Sequence, residues 1–147
     1  EKEILYSFNC IHIGIATNTS LGLLVPVVRN VQLLDIWECA RELKEVTDAT
    51  KANKAHPDQM KGSSITISSL GPLGGIISTP SINHPEVAII SPNKVRECPV
   101  VLNGEVTIRK IMNVSASFDH RLVDGYEAAK FIQDFKKMLE VPADLME

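Results

Sequence analysis

Asn103 and Gly104 constrain the fold of this chain more than any other feature of the sequence. They lie between two runs rich in β-branched residues, Val100–Leu102 and Val106–Lys110. Because both residues tolerate positive φ, an Asn-Gly pair favours the tight turn that joins two antiparallel strands. The sequence therefore predicts a β-hairpin here, and we expect its second arm to continue toward Asp119.

Two amphipathic helices and several short strands complete the predicted fold. The first helix begins near Leu34, and the second runs from Asp124 to about Leu139 before Pro142 ends it. The other predicted strands are Ile4–Phe8, Ile11–Thr17, Leu21–Val28, Ser64–Ser68 and Val87–Ile90. Pro26 favours a sheet edge or a bulge. This order predicts an α/β (or α+β) fold, a two-layer mixed β-sheet with packed helices.

Composition argues against two classes of partner. The 15 basic and 18 acidic residues give a net charge of −3, so no basic face for a nucleic acid backbone is indicated. No apolar run approaches the roughly 20 residues that cross a bilayer. We therefore expect neither nucleic acid nor a membrane as a partner.

Cysteine and histidine positions argue against a disulfide framework and a metal centre. The three cysteines and four histidines are scattered and form no CxxC pair. This pattern favours free thiols in a reducing compartment, and we expect no bound metal. The chain opens on Glu1-Lys2-Glu3 and enters an apolar run at once, so we expect a fragment truncated at its N-terminus.

His120 is the strongest candidate for chemistry. It follows a predicted strand and precedes Asp124, at the predicted start of the second helix, by four residues. This position would expose the imidazole at the rim of the sheet. Judged from the residues alone, an ordinary loop histidine beside an Asp124–Glu127 capping box is the favoured interpretation.

Several segments of the sequence, including the one around His120, resemble a known protein family. His120-Arg121-Leu122-Val123-Asp124-Gly125 resembles the HxxxDG signature of dihydrolipoamide acyltransferases and chloramphenicol acetyltransferases, and the form DHRxxDG is similar to the first group. Other similar segments, in the family's order, are Ile13–Thr17, Gly22–Val28, Thr66–Gly71 with Gly74-Gly75, Ser78–Pro80, Asn83–Ile89 and Ile111–Ser115. The resemblance covers essentially the whole chain and is strongest to the branched-chain type. It implies that residues 1–147 are the C-terminal part of an acyltransferase catalytic, core-forming domain with a chloramphenicol-acetyltransferase-like fold.

The resemblance implies acyl transfer between dihydrolipoamide and coenzyme A in a 2-oxo acid dehydrogenase complex. The acyl group would be branched, with acetyl or succinyl as alternatives. Coenzyme A would be a substrate, and lipoate would be carried on a separate lipoyl domain that is absent from this chain. A catalytically silent scaffold domain of such a complex is the alternative function.

The resemblance also implies roles for three residues. His120 would be the base that removes the thiol proton, because the thiolate is the nucleophile. The Ser68 hydroxyl would stabilise the oxyanion, although Ser69 is a neighbour with which it can be confused. Asp124 would hold the loop and the imidazole in place. A Ser68–His120–aspartate triad is a competing use of these residues, but no G-x-S-x-G elbow surrounds Ser68.

Assembly and location follow from the same resemblance. Such proteins form homotrimers in which the serine and the histidine of one active site belong to different subunits. The trimers join into a hollow cubic or dodecahedral core of 24 or 60 subunits. The implied partners are decarboxylase and dihydrolipoamide dehydrogenase components and the lipoyl domain. The location would be cytoplasmic in a bacterium and the mitochondrial matrix in a eukaryote.

Overall fold

The computed structural model describes residues 7–142, which form nine strands and two α-helices. The strands are β1 (Ile13–Ile15), β2 (Thr17–Thr19), β3 (Gly22–Leu24), β4 (Val27–Val28), β5 (Ile65–Ile67), β6 (Ala88–Pro92), β7 (Arg96–Leu102), β8 (Glu105–Ile111) and β9 (Val114–Phe118). The helices are α1 (Ile36–Lys51) and α2 (Gly125–Glu140). Single 3-10 turns cover Val31–Leu33, Pro57–Met60 and Gly71–Leu73.

Five strands form the central sheet, in the order β4-β1-β5-β6-β9. Strands β1, β5 and β6 run parallel, whereas β4 and β9 pair antiparallel at the two ends of this sheet. The inner strands contribute to the core of the described chain: Thr66 in β5 is 1% exposed, and Ile90 in β6 is 4% exposed. The predicted mixed sheet with helices is confirmed.

Helix α1 begins where its capping residues require it to begin. The Asp35 carboxylate accepts a hydrogen bond from the Glu38 N–H at 2.7 Å, and the Glu38 carboxylate accepts one from the Asp35 N–H at 3.1 Å. This reciprocal pair satisfies two N–H groups that the first turn leaves without helical partners. The helix packs against β2 and β4 and buries Val46 and Thr50. The first predicted helix is therefore confirmed.

The predicted hairpin is confirmed at its turn. Strands β7 and β8 pair antiparallel with Val101 opposite Val106, and both turn residues have positive φ, 52° at Asn103 and 85° at Gly104. The expected continuation of the second arm toward Asp119 is wrong. Strand β8 ends at Ile111, and β9 is a separate strand of the central sheet.

Asn113 explains why the arm is interrupted. Its carbonyl oxygen accepts hydrogen bonds from the backbone N–H of Asn93 at 3.0 Å and from Asn93 Nδ2 at 3.1 Å. Its own side-chain amide donates to the carbonyl oxygen of Ile76 at 2.9 Å. These contacts tie the chain between β8 and β9 to Asn93, just after β6, and to Ile76, in the loop before β6, and so separate the hairpin from β9.

Other predicted strands are shorter than expected. The run Leu21–Val28 divides into β3 and β4 around Pro26, which has no N–H to donate to a ladder and lies beside the edge strand. The run Ile11–Thr17 contributes to β1 and β2. For the strand predicted over Ile4–Phe8, residues 4–6 lie outside the described part, and Ser7 and Phe8 are not in a strand.

Candidate active site

His120 lies in a tight turn between β9 and α2. The Asp119 N–H donates to the Val87 carbonyl at 2.8 Å, which attaches the start of the turn to β6. The Asp119 carbonyl then accepts from the N–H groups of Leu122 and Val123, each at 3.0 Å. His120 is exposed at the tip of this turn, at the rim of the sheet. The expected position of the imidazole is confirmed.

Asp119 and Arg121, the two neighbours of His120, form an ion pair. The Arg121 guanidinium donates from Nη2 to Asp119 Oδ2 at 2.6 Å and from Nε to Oδ1 at 2.9 Å. The Arg121 backbone N–H also donates to Oδ1 at 3.1 Å. These hydrogen bonds to Arg121 lower the pKa of the Asp119 carboxyl to about 2. The sequence interpretation assigned no role to either residue, although opposite charges directly flanking a histidine are a visible signal.

Asp124 is the N-cap of α2. Its carboxylate accepts from the Glu127 N–H at 2.8 Å, and its carbonyl accepts from the Ala128 N–H at 3.0 Å. The contribution of Asp124 to the expected capping box is therefore present. In the described residues the Glu127 carboxylate makes no return bond to the Asp124 N–H, so the reciprocal part of that box is not formed. The aspartate contacts the helix start rather than the imidazole.

Ser68 follows the last residue of β5 and is partly buried. Its N–H donates to the Ile90 carbonyl at 2.9 Å, so its backbone extends the pairing of β5 with β6. Within residues 7–142 its hydroxyl makes no hydrogen bond. The neighbouring Ser69 hydroxyl instead accepts from the Gly71 N–H at 3.2 Å in a local turn. Of the two serines, Ser68 is the one whose hydroxyl has no hydrogen-bond partner in the described residues.

A buried carboxylate anchors the strand that carries Ser68. Oε1 of Glu86, a residue that is 7% exposed, accepts from Ser63 Oγ at 2.5 Å, Thr66 Oγ1 at 2.7 Å and Asn83 Nδ2 at 2.8 Å. Gly14 of β1 makes room for this cluster, because a Cβ there would lie 2.7 Å from Thr66 Oγ1. Sequence reasoning missed Glu86, which lies inside a matched segment but far from the signature.

Ser68 and His120 do not meet within one chain. If the pairing of β5 with β6 is extended by one residue, Ser68 lies beside Ser91. If the pairing of β6 with β9 is extended by two residues, His120 lies beside Glu86, which is five residues from Ser91. With a rise of about 3.3 Å per residue and about 4.8 Å between strands, the separation is roughly 20 Å. The carboxylates of Asp119 and Asp124 are also bonded elsewhere. This separation argues against a Ser68–His120–aspartate triad within one subunit.

Two negative observations hold for residues 7–142. No group of three or more histidine, cysteine, aspartate or glutamate side chains there is arranged to hold a metal ion. Neither helix in that range has the length and apolar character needed to cross a membrane. The three cysteines, which all fall within it, are free thiols.

Comparison with known proteins gives a match along the whole chain. The family model for the 2-oxoacid dehydrogenases acyltransferase (catalytic domain) matches residues 1–147. The lipoamide acyltransferase component of the branched-chain alpha-keto acid dehydrogenase complex of Pseudomonas aeruginosa is 49% identical over 145 residues. That alignment includes 99% of this chain and 34% of the relative, so the chain spans about a third of the length of the relative.

Two solved structures have the same fold. Dihydrolipoamide acetyltransferase of Azotobacter vinelandii superposes with a TM-score of 0.88 at 38% identity, over 95% of this chain and 58% of that one. The cubic core of a pyruvate dehydrogenase multienzyme complex superposes with a TM-score of 0.85 at 39% identity, over 90% and 54% of the two chains. The Azotobacter structure belongs to an investigation of a serine, a histidine and an asparagine in the catalytic mechanism of that enzyme. In that enzyme the serine precedes the histidine by 52 residues, and the asparagine follows it by four.

Proposed function

The chain belongs to the family of 2-oxoacid dehydrogenase acyltransferase catalytic domains, and on that premise we propose that it transfers acyl groups between dihydrolipoamide and coenzyme A. The main support for this proposal is the spacing of three residues in the sequence. Ser68 precedes His120 by 52 residues and Asp124 follows His120 by four, which are the intervals between the three residues investigated in the Azotobacter enzyme. A branched acyl group is favoured, because identity is 49% to the branched-chain relative and 38–39% to the other two proteins.

His120 acts as the general base in this proposal. A thiol with an ordinary pKa of about 8.5 is mostly protonated at neutral pH, whereas the thiolate is the nucleophile. The exposed imidazole takes the proton from the coenzyme A thiol as its sulfur attacks the thioester carbon of acyl-dihydrolipoamide. The same imidazole returns that proton to the dihydrolipoamide sulfur when the carbon–sulfur bond breaks. The imidazole therefore ends the reaction in its starting protonation state, and no covalent enzyme intermediate is needed.

Ser68 stabilises the charge that develops during the attack. The thioester carbonyl becomes a tetrahedral oxyanion, which a hydroxyl placed in advance stabilises by hydrogen bonding. The backbone of Ser68 is held by β6, and its hydroxyl has no other partner in the described residues. A rigidly held backbone and a hydroxyl without another hydrogen-bond partner suit the role of oxyanion donor.

Asp124 supports His120 indirectly, because it caps the helix that follows the turn containing His120. As the N-cap of α2 it determines where the turn ends and the helix begins. The Azotobacter enzyme has an asparagine at this interval. Aspartate and asparagine are both strong N-cap residues, so the capping role tolerates this difference.

One active site is formed by two subunits in this proposal. The separation of roughly 20 Å expected from strand geometry supports a site shared between subunits. A homotrimer would bring Ser68 of one subunit to His120 of the next, and trimers would assemble into a core of 24 or 60 subunits. The similarity to a cubic multienzyme core supports such an assembly. A lipoyl domain would deliver the acyl group, with decarboxylase and dihydrolipoamide dehydrogenase as partner enzymes. The compartment would be the bacterial cytoplasm or the mitochondrial matrix.

An acyl-transfer assay on the assembled protein tests the function. Isobutyryl-, acetyl- and succinyl-coenzyme A are offered with dihydrolipoamide as acceptor, and we expect the highest kcat/KM with the branched substrate. His120→Ala should lower kcat about 100- to 10,000-fold, the usual range for loss of a general base. His56→Ala, which removes another exposed histidine, is the matched control. No transfer by the unaltered protein would favour the scaffold alternative, and full turnover by His120→Ala would remove His120 as the base.

A further inference from the structure

We propose that Asp119, through its ion pair with Arg121, is a positioning residue for the His120 imidazole. This inference rests on the proposed function, because it assumes that His120 is the base. It concerns the two residues that directly flank His120. Their role would be to hold the turn in one conformation while the imidazole gains and loses its proton.

Three contacts of Asp119 close the turn around His120. Its carboxylate accepts from the Arg121 N–H at 3.1 Å, which makes His120 the central residue of an Asx-turn. Its carbonyl accepts from Leu122 and Val123, and its N–H donates to Val87. The backbone on both sides of His120 is therefore tied to one residue, and that residue is tied to the sheet.

The guanidinium adds rigidity that a lone Asx-turn lacks. Two parallel N–H···O bonds, at 2.6 and 2.9 Å, fix the orientation of the carboxylate as well as its distance from Arg121. The low pKa of Asp119, about 2, keeps the carboxylate charged at every pH at which the base works. In the described residues this carboxylate bonds to Arg121 and not to the imidazole.

Positioning matters because a general base works only within hydrogen-bond reach of the proton it removes. The His120 side chain is exposed and extends toward a partner subunit in the proposed site, so the turn supplies the order that packing does not. A misplacement of about 1 Å can cost about 100-fold in rate. Loss of the ion pair should therefore lower kcat more than it raises KM.

Two substitutions of Asp119 separate the effect of the ion pair from that of the Asx-turn. Asp119→Asn keeps an oxygen for the Asx-turn but removes the charged pair, whereas Asp119→Ala removes both. We expect kcat to fall about 10-fold in the first and about 100-fold in the second, with KM for coenzyme A nearly unchanged. Asp48→Asn is the control, because it breaks another exposed ion pair, Lys44–Asp48 at 3.5 Å, in α1. The control should keep its turnover.

Two further measurements distinguish positioning from general stabilisation. Arg121→Gln combined with Asp119→Asn should lower kcat no further than either change alone, because both break the same pair. Hydrogen exchange at the Arg121 amide should accelerate in Asp119→Ala, while core amides such as that of Ile90 stay protected. Unaltered kcat in both Asp119 variants would overturn the proposal, as would a fall in kcat that only follows the unfolded fraction. If the unaltered protein transfers no acyl group, the proposed function fails instead, and the inference fails with it.

Discussion

Ser68 follows β5 and His120 follows β9 of the same sheet, and the extended strand registers place Ser68 beside Ser91 but His120 beside Glu86, five residues away. The two residues that the proposed chemistry requires together are therefore held apart by rigid strands. In the proposed function the active site therefore takes its serine and its histidine from two subunits. The proposed catalytic roles of these two residues therefore also predict an assembly of subunits.

Mixed assemblies test that relationship directly. Ser68→Ala and His120→Ala should each be nearly inactive alone, whereas trimers formed from equal amounts of both should recover about a quarter of the unaltered activity, because a site of a closed ring needs one intact residue from each neighbour. Acyl transfer is measured after co-expression of the two variants. Because a site within one subunit would recover nothing, an inactive mixture of intact trimers contradicts the shared site.

The two adjacent serines should respond differently to removal of the hydroxyl. Ser68→Ala should lower kcat about 100- to 1,000-fold, the usual effect of losing one oxyanion donor. Ser69→Ala should leave kcat nearly unchanged, because its hydroxyl accepts from the Gly71 N–H within a local turn. Steady-state kinetics of the two variants provides the comparison. The reverse order of effects would assign the oxyanion role to Ser69.

Asp124 should behave as a helix cap in unfolding experiments. Asp124→Ala should destabilise the protein by about 1 kcal/mol, because the Glu127 N–H loses its acceptor, whereas Asp124→Asn should cost little. Urea unfolding followed by circular dichroism gives both values. Equal losses in the two variants would indicate that the charge of Asp124, and not its capping oxygen, supports the structure.

Asp119 should titrate far below an ordinary carboxyl group. Its pKa of about 2 lies below the unfolded value of 3.8, so the ion pair contributes stability that is complete above about pH 4 and is lost as pH falls toward 2. Carbon NMR of the labelled carboxyl should give a midpoint near 2. In Arg121→Gln the midpoint should rise toward the ordinary value. An unchanged midpoint in that variant would show that Arg121 is not the cause.

Local features of the chain were predictable because their causes are local. Asn103 and Gly104 determine a hairpin through their tolerance of positive φ, and Asp35 and Asp124 determine helix starts through hydrogen bonds within three residues. The turn position of His120 follows from the strand before it and the helix after it. Each of these interactions involves neighbours in sequence, so a short window of sequence contains the information.

Tertiary structure alone decided how these pieces are arranged. The break at Asn113 depends on Asn93 and Ile76, and the anchoring of the Ser68 strand depends on Glu86, 20 residues from its partner Thr66. The separation of Ser68 from His120 depends on the order and register of three strands. Sequence by itself determined which side chains are available for chemistry. Their distances required the fold, because hydrogen bonds between residues remote in sequence, and the pairing of strands, are settled only when the whole sheet forms.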